Sequence, residues 1–163
     1  MPAEHIVLIA PVETVLFADP TIEARVIADA ELRDVAQLLV EASKGIPGGE
    51  IGLEEAVSVV AGLAGGAQGE PRRDAWLGIW QGPGLPVSAI LCTTWRGMPF
   101  ITHIATAAAV RERGYASSLV RSATSVFETA GATHVGISLE RNSPAMHLFR
   151  ELGFVEMFST VDA

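Results

Sequence analysis

A short segment at positions 111–116, Arg-Glu-Arg-Gly-Tyr-Ala, has residue types that could bind phosphate. It leads from an apolar, strand-like run into a stretch with helical periodicity. The first N–H groups of a helix lack partners within the helix and carry partial positive charge, so they bind a diphosphate well. Gly114 lets the backbone approach a phosphate oxygen, Ala116 keeps the next turn small, and Arg111 and Arg113 could add charge-assisted hydrogen bonds. Taken alone, the segment could equally be the solvated start of a helix.

A second segment, LERNSPAMHLFRELGF at residues 139–154, follows about 30 residues later. The pattern N-x-x-A-x-x-L-[YF]-x-x-x-G-F falls on Asn142, Ala145, Leu148, Phe149, Gly153 and Phe154. Together with R-x-x-G-x-A at 111–116, and with a helix and a strand between the two, this pattern resembles the GNAT superfamily of N-acetyltransferases. The resemblance covers about residues 99–154.

The resemblance implies a fold and a cosubstrate site. The implied fold is mixed α/β, with a central, mostly antiparallel sheet flanked by about four helices. The implied cosubstrate is acetyl-coenzyme A. In the resembled family the loop that corresponds to 111–116 binds its pyrophosphate, and the strand before that loop pairs with its pantetheine arm. A side chain at the end of the strand after the helix also reaches the cosubstrate. The residues at these positions are Ile104, Ala105, Thr106, Arg111, Glu112, Arg113, Gly114, Tyr115, Ala116, Asn142 and Ser143.

Phe149 departs from the pattern of the resembled family. Many members have tyrosine there, and its hydroxyl protonates the leaving thiolate, whereas phenylalanine cannot donate a proton. A thiol pKa near 8.5 makes the thiolate a tolerable leaving group without an acid. The departure therefore bears on rate and mechanism more than on reaction type. It also leaves open that the chain is a non-catalytic module that binds acyl-coenzyme A.

Four further residues could assist chemistry or could be structural. His103, in the strand before the loop, has an intrinsic pKa suited to a base, or it packs structurally. Glu54 and Glu55 could attract a cationic amine or form a solvated helix face. Cys92 lies in the apolar run SAILC, which favours a buried, inert thiol over a nucleophile. No spacing of His, Cys, Asp and Glu predicts a metal site.

Hydrophobic periodicity and turn residues predict the elements that position these groups. Strands are predicted at 24–28, 75–80, 86–95, 99–107 and 134–140, with a closing strand after Phe154. Helices are predicted from the cap Asp29, at 53–64, from the loop to Gly131, and from the cap Ser143 with Pro144 at its first position. Their order is compatible with the resembled family from residue 24 on, which implies one acetyltransferase domain at 24–163, with 1–23 as an extension or an extra strand.

Composition limits the classes of partner. The 163 residues carry a net charge of −8. The sequence has no cluster of basic residues that would form a basic face, so nucleic-acid binding is not expected. The opening apolar run, Ile6 to Val12, is too short to span a membrane and lacks a basic flank, so we expect a cytoplasmic protein. The hydrophobic fraction of 49% would allow a subunit interface such as that of a homodimer.

The resemblance thus implies transfer of an acetyl or short acyl group from acetyl-coenzyme A to a primary amine of a small molecule or peptide. The amine would attack the thioester directly. The resemblance places the residues that bind the acceptor within 40–72, where no motif identifies the amine.

Overall fold

The computed structural model describes residues 4–46 and 48–161, which form eight strands and four α-helices. The strands are β1 (Glu4–Pro11), β2 (Arg25–Val26), β3 (Glu70–Pro71), β4 (Leu77–Ile79), β5 (Ser88–Trp95), β6 (Met98–Thr106), β7 (His134–Glu140) and β8 (Val155–Val161). The helices are α1 (Leu32–Ser43), α2 (Leu53–Ala64), α3 (Tyr115–Thr129) and α4 (Met146–Glu151). Four short 3₁₀ turns lie between them.

All eight strands join in one sheet, in the order β2-β4-β5-β6-β7-β1-β8, and β3 pairs with β5 beside that path. Among the strands of the described residues, every pairing is antiparallel except that of β6 with β7. This is the mixed α/β architecture with a mostly antiparallel sheet and four helices that the sequence predicts, and the prediction is confirmed.

Glycine allows the single parallel contact in the sheet. Phe100 of β6 lies opposite Gly136 of β7, and a Cβ added to Gly136 would lie 2.9 Å from the Phe100 ring. The missing side chain therefore leaves room for that ring where β6 and β7 meet.

The predicted helix at 53–64 and strand at 134–140 agree with α2 and β7. Other boundaries differ: the strand predicted at 24–28 is reduced to Arg25–Val26, and the one predicted at 86–95 begins at Ser88. The segment after Asp29 begins as a 3₁₀ turn, and α1 starts at Leu32. β4 is confined to Leu77–Ile79 because the residues before it, Arg73–Ala75, form another 3₁₀ turn. α4 begins at Met146, because Ser143 and Pro144 form a turn in which the Ser143 hydroxyl accepts from the N–H of Ala145 at 3.2 Å.

The sequence LGF places a glycine directly after the last turn of α4 and a phenylalanine that can pack back on it, which predicts a Schellman cap, and the structure has this geometry. Gly153 has φ +100°, and its N–H donates to the carbonyl of Arg150 at 3.1 Å. The N–H of Phe154 donates to the carbonyl of Phe149 at 3.0 Å. The two phenylalanine rings meet edge to face with centroids 5.1 Å apart, the apolar contact that accompanies such caps.

The first strand lies inside the sheet, between β7 and β8. It pairs with β7 at seven positions, from His5 opposite Glu140 to Pro11 opposite His134. Its even-numbered side chains, Ile6, Leu8 and Ala10, are fully buried in the hydrophobic core. The N-terminal segment therefore joins the two strands on either side of α4.

Candidate functional site

The loop before α3 has the backbone geometry of an anion site. Glu112 and Gly114 both have positive φ, +65° and +82°. Among the described residues, Ser118 is the first of the helix whose N–H reaches an earlier carbonyl, that of Gly114 at 3.0 Å. The N–H groups of residues 112–117 are thus left for solvent or a ligand, and turned loops of this kind form anion-binding concavities.

Gly114 combines two properties that suit such a site. Its positive φ is a conformation that other L-residues adopt at a cost of about 1–2 kcal/mol. A Cβ at this position would touch only the Ile22 side chain, at 4.0 Å. The glycine is therefore required by conformation rather than by crowding, and the space over the loop stays open.

The two arginines of the loop point to different surroundings. Arg111 donates from Nη2 to the carbonyl of Ala42, near the end of α1, at 2.8 Å, and from Nε to the carbonyl of Thr106 at 3.3 Å. Arg113 is exposed and lines a polar cleft of about 430 Å³ together with Tyr115. The hydroxyl of Tyr115 accepts from Gln81 Nε2 at 2.8 Å in the same cleft.

A cleft opens between β6 and β7 beside this loop. Within the part of the chain that the structure describes, the two strands pair at only two positions, Phe100 with Gly136 and Ile101 with Ile137. Beyond these positions β6 stays paired with β5 and β7 stays paired with β1, so the two strands diverge. Main-chain groups of a strand paired on one side alternate in direction, so every second residue of 102–106 presents its N–H and C=O to the opening, as an added extended arm would require.

A β-bulge in β6 lies at the point where β6 turns away from β7. The register of β5 against β6 shifts between Leu91 and Cys92, which leaves Thr102 as the extra residue. The Thr102 hydroxyl donates to the carbonyl of Leu91 at 3.0 Å and closes the bulge. Bulges of this kind occur next to active sites, where they redirect side chains.

His103 follows the bulge directly. It is partly buried, and its Nδ1 atom has no hydrogen-bond partner among the described residues. Burial lowers the pKa of its imidazole, so the ring is neutral at pH 7. A neutral imidazole can accept a proton, and its Nδ1 atom is buried from solvent.

Asn142 and Ser143 lie at the carboxyl end of β7, across the opening from β6. Asn142 is exposed, so its amide is available to a ligand. Ser143 is partly buried and donates its own N–H to the carbonyl of Glu140 at 2.9 Å. Its hydroxyl holds the turn before α4, as described above.

Phe149 lies in the core. It is fully buried, and its ring packs on Phe154 as part of the helix cap. The position at which the resemblance would place an acid is thus an apolar core position here.

The remaining candidates lie outside this cleft. Cys92 is buried, and burial raises the pKa of its thiol, which keeps it protonated and inert. Glu54 and Glu55 are exposed in the first turn of α2.

Within the described part of the chain, no three His, Cys, Asp or Glu side chains gather where they could hold a metal ion. None of the helices within residues 4–46 and 48–161 combines the length and apolarity that a bilayer crossing needs.

A diphosphate fits the loop by its chemistry. The unpartnered N–H groups of 112–117 supply donors, Gly114 leaves room above them, and Arg113 adds a cation at the edge.

Two features of the site could not be predicted from the sequence: the contact of Arg111 with Ala42 and that of Tyr115 with Gln81. Their partners lie 69 and 34 residues away, and no local pattern signals them.

Solved structures share this fold. A GCN5-related N-acetyltransferase from Sphaerobacter thermophilus is similar with a TM-score of 0.73 and 19% identity, over 99% of this chain and 51% of that one. A functionally unknown conserved protein from Staphylococcus epidermidis gives 0.71 and 10%, over 98% and 60%. An acetyltransferase of the GNAT family from Colwellia psychrerythraea gives 0.71 and 16%, over 98% and 54%. The chain thus spans about half to three fifths of their lengths.

At the level of sequence, the FR47-like protein family matches residues 77–162, which run from β4 through the loop and α4 to the end of β8. A comparison with curated proteins found no match. The chain belongs to the FR47-like family, within the GNAT superfamily that the two sequence motifs indicate.

Proposed function

We propose that this chain transfers an acetyl or short acyl group from acetyl-coenzyme A to a primary amine. The observation that carries the proposal is the position of the unpartnered N–H groups at the start of α3 beside the opening between β6 and β7. One end of that cleft supplies donors for a diphosphate, and its strand edge supplies main-chain groups for an extended amide-containing arm.

In this proposal, residues 112–117 and Arg113 hold the diphosphate, and residues 104–106 pair with the arm. Asn142, at the end of β7, adds a side-chain amide from the other side of the opening. Arg111 acts indirectly, because its guanidinium is committed to the carbonyls of Ala42 and Thr106 and so fixes the loop against α1.

The reaction needs an uncharged amine whose nitrogen attacks the thioester carbonyl carbon. The carbon–nitrogen bond forms, the carbon–sulfur bond breaks, the amine gives up a proton, and the thiolate leaves to be protonated by water. His103 is the candidate base for an amine that arrives protonated, because its ring is neutral and its Nδ1 has no partner among the described residues. Glu54 and Glu55 would draw such a cationic acceptor toward α2.

The buried apolar ring of Phe149 supports a second candidate, a module that binds acyl-coenzyme A without turnover. Thiol release from acetyl-coenzyme A separates the two, measured with polyamines, aminoglycosides, amino acids and peptides as acceptors. We expect release with one class of amine. Binding of acetyl-coenzyme A without release in any class would favour the module.

Binding itself has an independent readout in the stability of the chain. Coenzyme A at about 100 times its dissociation constant should raise the free energy of unfolding by about 2.7 kcal/mol. Desulfo-coenzyme A should keep most of the effect, because the loop contacts the diphosphate and not the sulfur. No change in melting temperature with either ligand would refute the proposed site.

A further inference from the structure

The proposed diphosphate loop has less available positive charge than its sequence indicates. Arg111 donates to the carbonyls of Ala42 and Thr106, so its guanidinium is already bound. Glu112 is exposed and adds a negative charge to the same loop. Arg113 therefore carries the remaining positive charge of a loop that would bind a diphosphate. A second cation from outside the loop would strengthen binding, because charge-assisted hydrogen bonds to phosphate are about twice as strong as neutral ones.

The contact between Arg111 and α1 brings such a cation close to the loop. Lys44 is the single lysine of the chain, and it directly follows α1, two residues after Ala42. Two steps of about 3.8 Å between neighbouring Cα atoms therefore separate Lys44 from the residue whose carbonyl binds Arg111 at 2.8 Å. A lysine ammonium sits on a flexible four-carbon stem, which can span a gap of this size. The Lys44 side chain thus lies close to the proposed diphosphate site.

Hydrogen bonds hold the backbone around Lys44, whereas its side chain is exposed. The Ser43 hydroxyl donates to the carbonyl of Val40 at 2.7 Å and accepts from the N–H of Ile51 at 3.1 Å. The N–H of Lys44 donates to the carbonyl of Glu41 at 3.3 Å. The Lys44 side chain is 61% exposed. It can therefore exchange one ionic partner for another while the turn after α1 stays in place.

The ionic partner of Lys44 in the structure is a carboxylate. Its Nζ atom lies 3.1 Å from each carboxylate oxygen of Glu41. The pair is exposed on both sides, and exposed ion pairs contribute little to stability. A diphosphate offers the same kind of oxygen acceptor with more negative charge, so it attracts the ammonium more strongly than one carboxylate does. Glu41 and a bound diphosphate would therefore compete for Lys44.

We propose that Lys44 leaves Glu41 and binds the diphosphate of coenzyme A when the cosubstrate occupies the loop. This inference rests on the proposed function. It gives the end of α1 two tasks, because the carbonyl of Ala42 holds Arg111 while Lys44 supplies a cation to the diphosphate. Lys44 lies outside both sequence motifs and outside residues 77–162, which the FR47-like family matches. The contact is therefore a feature of this chain that the family match does not contain.

Calorimetric titration of coenzyme A into the full chain tests the contact. Lys44→Gln should raise the dissociation constant about fivefold, whereas Lys44→Arg keeps the charge and should bind like the parent chain. Glu41→Gln removes the competing carboxylate, so it should lower the dissociation constant, and it should have no such effect in the Lys44→Gln background. Arg33→Gln is the matched control: Arg33 is an exposed cation in the first turn of the same helix, and its loss should leave binding unchanged.

The possible outcomes separate this inference from the proposed function. An unchanged dissociation constant in Lys44→Gln, or an equal rise in Arg33→Gln, would overturn the inference and leave the proposed function intact. A parent chain that does not bind coenzyme A would overturn both. Dephospho-coenzyme A lacks the 3′-phosphate and keeps the diphosphate, so Lys44→Gln should weaken its binding by the same factor. Loss of the effect with this ligand would refute the assignment of Lys44 to the diphosphate.

Chemical modification provides a second measurement, because Lys44 is the single lysine of the chain. An N-hydroxysuccinimide ester should acylate Lys44 more slowly when desulfo-coenzyme A is bound, with the N-terminal amine of the same chain as the internal reference. Mass spectrometry of proteolytic peptides measures both rates. Equal acylation of Lys44 with and without bound ligand would contradict the contact with the diphosphate. Circular dichroism of the variants verifies that they are folded.

Discussion

The guanidinium of Arg111 donates a hydrogen bond to the carbonyl oxygen of Ala42 across 2.8 Å, joining the loop before α3 to the last turn of α1. The last carbonyls of a helix lack partners within it and carry partial negative charge, so an arginine binds there favourably. Residues 44–52, which follow α1 directly, belong to the segment expected to contact the acceptor. The contact thus connects the proposed diphosphate loop with the proposed acceptor side.

Arg111→Ala should modestly weaken the binding of both coenzyme A and the acceptor amine. The N–H donors of residues 112–117 remain, so we expect the dissociation constant for coenzyme A to rise by about tenfold or less, or about 1.4 kcal/mol. The KM for the acceptor amine should rise as well, because the end of α1 loses its tie to the loop. Arg113→Ala is the control, since Arg113 is exposed and lines the cleft with Tyr115, and its loss should change only coenzyme A binding. Calorimetry and steady-state kinetics measure the two effects; an unchanged acceptor KM in Arg111→Ala would contradict the coupling.

Gly114→Glu should abolish coenzyme A binding. The substitution adds a negative charge where the diphosphate would lie, and the positive φ adds about 1–2 kcal/mol of backbone strain. Gly114→Gln shares the strain and the size without the charge, so it should retain more binding. Gly131→Glu has a comparable φ of +92° in the turn after α3 and should bind like the parent chain. Calorimetric titration checks all three, and coenzyme A binding by Gly114→Glu at parental affinity would show that the loop is misassigned.

His103 should make stability depend on pH. Burial lowers the pKa of its imidazole below the ordinary value of about 6.5, so below that pH the unfolded chain takes up a proton that the folded chain resists. The stability associated with a neutral His103 is therefore present above about pH 6.5 and is lost as the pH falls toward the lowered pKa. In urea titrations, His103→Gln should lose less stability than the parent chain between about pH 8 and 5.5. His134→Gln, at an exposed position, serves as control; equal losses in His103→Gln and the parent chain would rule out this effect.

Phe149→Tyr should destabilise the chain without adding a general acid. The ring is fully buried against Phe154, so a new hydroxyl without a hydrogen-bond partner would lower the free energy of unfolding by about 1–3 kcal/mol. We expect no rise in kcat. Chemical denaturation and the pH profile of turnover provide the measurements. A faster enzyme with a new alkaline limb near the tyrosine pKa of about 10 would instead show that the hydroxyl reaches the leaving sulfur.

The buried side chains of β1 should contribute more to the stability of the fold than the ion pair of Glu4 does. Leu8→Ala should lower the free energy of unfolding by about 2–5 kcal/mol, because Leu8 is fully buried in the core. Glu4→Gln removes a carboxylate that binds Arg141 at 2.7 Å on the surface, and exposed pairs contribute about 0–1 kcal/mol. Denaturation of the two variants side by side tests this order. Equal, small effects would mean that the strand is dispensable.

The sequence by itself determined the elements whose signals are local. The apolar period and the terminal glycines predict α2, the LGF run predicts the cap of α4, and the two motifs identify the superfamily. Each depends on residues within a few turns of one another, where backbone hydrogen bonding and side-chain spacing are set by neighbours in the chain. Arg113, Gly114 and Asn142 follow from the motifs for the same reason.

Only the tertiary structure decided which segments meet. The place of Glu4–Pro11 inside the sheet, the commitment of Arg111 to Ala42 and the burial of Phe149 all depend on contacts between distant residues. The sequence of a strand does not specify which strand will pair with it. Its main-chain groups are the same at every position, so their hydrogen bonds can be formed equally well in many registers. The choice is made by the packing of the whole core, through the fit of side chains such as Ile6 and Leu8 with elements far along the chain.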